Sequence, residues 1–123
     1  MASDRSIMIV EDDDDARQMA QMILEHQGFS VETAANGKEA VEKLKSVIPA
    51  LILLDIMMPE MNGYDVLVHL KQRPETQNIP VIMLTAKGTG DDMITGYQHG
   101  ADYYIPKPYT REQLLYGIKL FIN

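Results

Sequence analysis

Short, nearly unbroken apolar runs alternate along this chain with longer stretches in which apolar side chains recur every third or fourth residue. Residues 6–10, 51–54 and 80–84 are runs of the first kind, and 30–34 and 102–105 are β-rich segments with polar positions among them; these are five predicted strands. Near-continuous apolar character suits a strand whose sheet is covered by helices on both faces. Between the runs the period changes. Ala16, Met19, Ala20, Ile23 and Leu24 fall at i, i+3, i+4, i+7 and i+8, which predicts a first helix ended by Gly28. A second helix is predicted over 37–47 around Ala40, Val41 and Leu44, stopped by Pro49, and a third over 64–73, stopped by Pro74. The fourth, over 91–99, has only Met93, Ile94 and Tyr97 as its stripe and is interrupted by Gly96. The fifth runs from Thr110, a candidate N-cap with Glu112 nearby, past Ile118. Strands and helices in this alternation predict βαβ units joined by right-handed crossovers, hence an α/β fold with a doubly wound, five-stranded parallel sheet.

In such a sheet ligands bind outside the carboxyl ends of the strands. The charged residues of interest stand there: Glu11 and Asp12 after the first run, Asp55 after the third and Lys107 after the fifth, with Thr85 after the fourth. A single Asp after an apolar strand is ordinarily a turn or cap residue. Repeated at one sheet edge, such residues predict a binding site.

Composition narrows the chemistry. A chain of 123 residues with 46% apolar content suits one compact domain over residues 1–123, with no linker, repeat or low-complexity tract and no effector domain expected within it. No apolar stretch approaches the roughly 20 residues of a membrane helix, and the N-terminus lacks a signal-peptide pattern, so a soluble, cytoplasmic protein without membrane contact is expected. The absence of cysteine excludes disulfides and thiolate-held metals. A formal charge of −7 argues against direct nucleic-acid binding and towards cations and proteins as partners. Glu11, Asp12 and Asp55 brought together would repel one another unless a hard cation sat among them. Mg²⁺ fits best, since it binds through one or two carboxylates, water and phosphate oxygens.

Taken jointly, Val10-Glu11-Asp12 followed by Arg17, Leu54-Asp55-Ile56-Met57-Met58-Pro59 with Gly63 eight residues after the aspartate, Leu84-Thr85-Ala86, and Tyr104-Ile105-Pro106-Lys107-Pro108 resemble the receiver domain of bacterial response regulators, the CheY-like family. The resemblance covers essentially the whole chain. It implies a flavodoxin-like (βα)5 three-layer sandwich with strand order 2-1-3-4-5, an order for which CheY is itself a standard example. It implies a two-component phosphorelay switch in which Asp55 accepts a phosphoryl group in a Mg²⁺-dependent reaction, a signalling protein that catalyses only its own phosphorylation and dephosphorylation. Asp12 and Asp55 would be direct metal ligands, Glu11 an outer one acting through water, and Met57 a donor of its backbone carbonyl. Lys107 and Thr85 would contact the phosphoryl oxygens, and the Lys107-Pro108 bond would be cis. Tyr104 would be the aromatic switch, turning inward as Thr85 moves, so that the face of the fourth helix, fifth strand and fifth helix changes between states. The partners implied are a sensor histidine kinase or histidine phosphotransfer protein upstream, a downstream protein target or fused effector, and a phosphorylation-dependent homodimer.

Other readings stand beside these. Asp13, Asp14 and Asp15 suit the positive end of the first helix, yet the five consecutive acids also allow Asp12 and Asp13 as the metal pair in place of Glu11 and Asp12. An EF-hand loop numbered from Asp12 fails, because Arg17 stands where Gly is needed. Gly88-Thr89-Gly90 lacks the residues of a phosphate loop and reads as a loop and cap. His26, His69 and His99 fall on predicted helices without ligand spacing, and the nine methionines read mostly as core filler and loop anchors. Tyr104 also suits ordinary strand packing, and Tyr103 beside it should pack on the opposite face. Pro106 before Lys107, and Tyr109 where Phe is commoner, depart from the family's pattern without touching the expected chemistry. Two further functions remain: a pseudo-receiver acting by constitutive protein binding, against which intact Asp55, Thr85 and Lys107 argue, and a phosphohydrolase of the haloacid-dehalogenase type, which needs Asp where Met57 stands.

Overall fold

The computed structural model describes residues 5–86 and 100–122. Along them run β1 (Ser6–Val10), α1 (Asp14–His26), β2 (Ser30–Ala34), α2 (Gly37–Lys43), β3 (Leu51–Asp55), α3 (Gly63–Lys71), β4 (Val81–Ala86), β5 (Tyr103–Lys107) and α4 (Arg111–Lys119). The last of these is the fifth helix of the sequence pattern; the helix predicted over 91–99 and the Gly88-Thr89-Gly90 segment lie outside the described residues. All strand pairings are parallel, in the order β2-β1-β3-β4-β5.

Alternate residues of the central strands feed two separate cores. Met8, Val10, Ile52, Leu54 and Met83 pack with Ala40, Leu44, Val66, Leu67 and Leu70 of the α2/α3 side. Ile7, Ile9, Leu51, Leu53, Ile82 and Leu84 pack with Ala20, Leu24, Leu114 and Ile118 of the α1/α4 side. Both faces of the sheet are dry, which is why these strands read as continuous apolar runs rather than as alternating ones. The result is the expected three-layer sandwich.

The helix ends follow local chemistry. Asp13, Asn36, Asn62 and Thr110 each accept a backbone N–H of the first turn they precede, satisfying donors that a helix start leaves orphaned. At Thr110 the reciprocal partner is Gln113 rather than Glu112, in a capping box. Gly28, with φ of 90°, closes α1 in a Schellman turn: Phe29 N–H donates to Leu24 O and Gly28 N–H to Glu25 O.

Several expectations change: β3 runs on to Asp55, β4 lies at Val81–Ala86 so that Thr85 is within it, and α3 spans Gly63–Lys71. α2 ends at Lys43 rather than at 47, because Lys45 and Ser46 turn back to Glu42 and Lys43 carbonyls in a tightened turn, and Pro49 disfavours helical backbone at Ile48 before it. β5 runs past Ile105 to Lys107; it is an edge strand, where Pro106 costs no ladder bond. Met19 is 60% and Met22 66% exposed on α1, so the apolar stripe of that helix is narrower than its spacing suggests and these methionines are not core filler.

Candidate functional site

The register carries the strand ends to a single edge. Val10 pairs with Leu54, Asp55 with Leu84, Thr85 with Pro106 and Ala86 with Lys107. Glu11 continues β1 by donating its N–H to Ala34 O at 3.1 Å, while its carbonyl accepts from Arg17 Nη1 at 2.9 Å. Arg17 also pairs with Asp14, so the first turn of α1 clamps the peptide that carries Glu11. On the other side, Gly63 N–H donates to Ile56 O at 3.0 Å, and a Cβ at Gly63 would sit 2.6 Å from Asp55 O. Only glycine lets α3 begin this close to the end of β3.

Glu11 and Asp55 are buried, at 2% and 3% exposure, while Asp12 is exposed. Carboxylate oxygens of Glu11, Asp12 and Asp55 lie within 4.8 Å of one another. Asp13 also lines the cleft, but its Oδ1 accepts from Ala16 N–H at 3.0 Å as the cap of α1 and it is not part of that carboxylate group. Of the two pairings left open by the acidic run, Glu11 with Asp12 is the one that faces Asp55. Lys107 Nζ stands 2.6 Å from Glu11 Oε1 and 3.1 Å from Asp55 Oδ1, and Met57 N–H donates to the same Asp55 oxygen at 3.3 Å. Glu11 Oε2 is buried with no hydrogen-bond partner among the described residues.

These contacts set the charges. Burial, and then the neighbouring Glu11 carboxylate, push the Asp55 carboxyl up to about 7, against the pull of Lys107. Burial works to raise Glu11 as well, but its hydrogen bonds with Asp55 and Lys107 outweigh it and hold Glu11 below the usual range. Burial would likewise lower Lys107; its bond to Glu11 and the charge of Asp55 leave it raised. Buried acids are costly unless paired, and one ammonium shared between two carboxylates leaves negative charge uncompensated. A group with oxygen donors only and an orphaned buried oxygen suits a hard divalent cation such as Mg²⁺.

The cluster forms the floor of a cleft of about 680 Å³ whose walls include Ala16, Met19, Met57, Pro108 and Tyr109. Thr85 is buried near the end of β4, just before the edge. Tyr104, expected to turn inward on activation, already has its ring inside the α2/α3 core at 4% exposure; Tyr103 packs on the opposite face. The Lys107-Pro108 bond is cis. Two features had no sequence signal. The Glu11–Lys107 pair joins residues 96 apart, and Tyr109, expected to stand clear of the chemistry, lines the cleft.

With this geometry in place, comparison with known proteins is specific. The family model for the response regulator receiver domain matches residues 7–119. Response regulator Rre1 of Synechocystis is 41% identical over 115 residues, 93% of this chain and 50% of its own length. Transcriptional regulatory protein SrrA of Staphylococcus aureus is 40% identical over 117 residues, covering 95% and 47%. Among solved structures, the chemotaxis protein CheY4 of Vibrio cholerae superimposes with a TM-score of 0.91 at 29% identity, over 95% of this chain and 98% of that one. The receiver domain of sensor histidine kinase PA1611 from Pseudomonas aeruginosa, with a magnesium ion coordinated in its active-site cleft, gives 0.87 at 26% identity over 95% and 96%. The chain belongs to the response regulator receiver family, the signalling domain of two-component systems. It spans about half the length of the two relatives.

Proposed function

We propose that this domain is a phosphoacceptor switch in which Asp55 is the nucleophile. The observation that carries the proposal is the position of the Asp55 carboxylate at the end of β3, buried, 3.1 Å from Lys107 Nζ and within 4.8 Å of the Glu11 and Asp12 oxygens. An Asp55 oxygen attacks phosphorus of a phosphohistidine on a sensor histidine kinase or histidine phosphotransfer protein. The new O–P bond forms as the P–N bond breaks, and the imidazole leaves with the electron pair. Water later cleaves the acyl phosphate, returning the carboxylate and releasing inorganic phosphate.

Asp12 and Asp55 would hold Mg²⁺ directly, Glu11 through water and Met57 through its backbone carbonyl; the ion, when bound, offsets the charge of carboxylate and phosphoryl group. The resident machinery does the rest. Lys107, already poised between Glu11 and Asp55, exchanges a carboxylate for a phosphoryl oxygen, and Thr85 supplies a hydroxyl from the end of β4. Glu11 keeps Lys107 in the cleft while no phosphate is bound. Tyr104 serves as the switch: its inward and outward rotamers are two states whose populations depend on Thr85, and β5 with α4 presents a different face in each. That face would be read by a downstream target, a fused effector or a second copy of the domain. No described helix is long and apolar enough to cross a membrane, and a cytoplasmic location belongs to the same proposal.

The test is binding of beryllofluoride, a phosphoryl mimic, in millimolar Mg²⁺, followed by backbone amide NMR. Shifts at Thr85 and Tyr104 as well as at Asp55 are expected. A spectrum unchanged by saturating beryllofluoride contradicts the switch.

A further inference from the structure

Tyr109 lines the cleft beside Pro108, as do Ala16 and Met19 of α1. Its ring is half-buried against the α1/α4 core. The chain on either side is fixed: Lys107 by Glu11 and Asp55, and Thr110 by the capping box with Gln113, at 2.8 and 3.0 Å. A ring held in this way has little freedom in where it places its hydroxyl. A tyrosine with its body in the core and its tip at a wet surface ordinarily uses that tip for a hydrogen bond. Here the hydroxyl makes none among the described residues.

Two of the described donors at the cleft floor are engaged with carboxylates before a phosphoryl group arrives. Lys107 serves Glu11 and Asp55, and the Met57 N–H serves Asp55. Burial and then the Glu11 charge hold the phenol above its ordinary range, so it stays a neutral donor at physiological pH. A phosphoryl group brought to Asp55 carries several unsatisfied oxygens into a floor made of carboxylates, and charge-assisted hydrogen bonds are the strongest it can collect.

We infer that the Tyr109 hydroxyl is a hydrogen-bond donor to the phosphoryl group in this cleft, which makes Tyr109 a binding residue of the phosphotransfer site. This inference rests on the phosphoacceptor function proposed above. Tyr109→Phe removes the oxygen and keeps the ring that packs against the core, so the fold is preserved.

The experiment titrates beryllofluoride into wild type and Tyr109→Phe in saturating Mg²⁺, and separately titrates Mg²⁺ alone. Loss of one hydrogen bond to the anion is expected to weaken beryllofluoride binding about tenfold or more, with Mg²⁺ affinity changed by less than about twofold. In wild type, the isotope-labelled Tyr109 Cζ resonance should move on beryllofluoride binding, a readout that needs no variant. Equal affinities in the two proteins, or an unmoved Tyr109 resonance in saturated wild type, overturn the assignment and leave the phosphoacceptor function standing. A wild type that binds no beryllofluoride overturns both.

Discussion

Lys107 lies nearer to Glu11 than to Asp55, at 2.6 Å against 3.1 Å. The residue expected to serve the phosphoryl group is therefore held mainly by an acid at the end of another strand. Removing the ammonium by Lys107→Ala leaves two buried carboxylates facing each other. Breaking such a partly buried pair is expected to cost about 1–3 kcal/mol in chelator at neutral pH. The loss should shrink in millimolar Mg²⁺, and urea unfolding with and without the ion measures both quantities. A variant as stable as wild type in chelator contradicts the pairing.

The Asp55 carboxyl, raised to about 7 by burial and by Glu11, gives stability a defined pH dependence. A carboxyl in an unfolded chain titrates near 3.9. Between about 4 and 7 the folded state binds the extra proton, so this stabilising contribution is complete below the unfolded value and is lost as pH rises through the folded one. Asp55→Asn mimics the neutral form and should not lose it. In metal-free buffer the variant should gain on wild type between pH 5 and pH 8, as read by urea midpoints. A constant difference between the two proteins would remove Asp55 as the titrating group.

Asp12 and Asp13 are adjacent acids with different roles. Asp12 is within reach of Glu11 and Asp55, whereas Asp13 caps α1. Mg²⁺ should raise the melting temperature of wild type, through linkage to the folded state, and should do so much less in Asp12→Asn. Asp13→Ala should keep the full Mg²⁺ response while losing about 1 kcal/mol of stability at every Mg²⁺ concentration. The reverse pattern would move the metal pair by one residue.

Gly63→Ala tests the contact between the start of α3 and the end of β3. Its Cβ would stand 2.6 Å from Asp55 O and 2.9 Å from Ile56 Cα, both backbone atoms that cannot turn aside. A loss of about 1–3 kcal/mol is expected, together with slower phosphoryl transfer as Asp55 is displaced. A wild-type urea midpoint would show that the backbone there yields freely.

Much of the fold was legible because a sheet covered on both faces writes unbroken apolar runs into its strands, as in residues 7–10 and 51–54, and because Gly28 and Thr110 mark helix ends by local chemistry. The strand-end acids and Lys107 were legible for the same reason, since parallel topology collects strand ends. What stayed hidden depends on side-chain reach. Nothing local says that Glu11 extends to Lys107 or that Met19 faces the cleft instead of the core. Tyr109, read as a replacement for the commoner Phe, was expected to stand clear of the chemistry; its neighbour Thr110 in the capping box and its packing on the α1/α4 core hold it at the cleft.

The most direct test of Asp55 as phosphoacceptor is intact mass measured after incubation with acetyl phosphate and Mg²⁺. One phosphoryl adduct is predicted on wild type, lost in chelator and absent from Asp55→Asn. No adduct on wild type, or an adduct that persists in Asp55→Asn, would contradict the account.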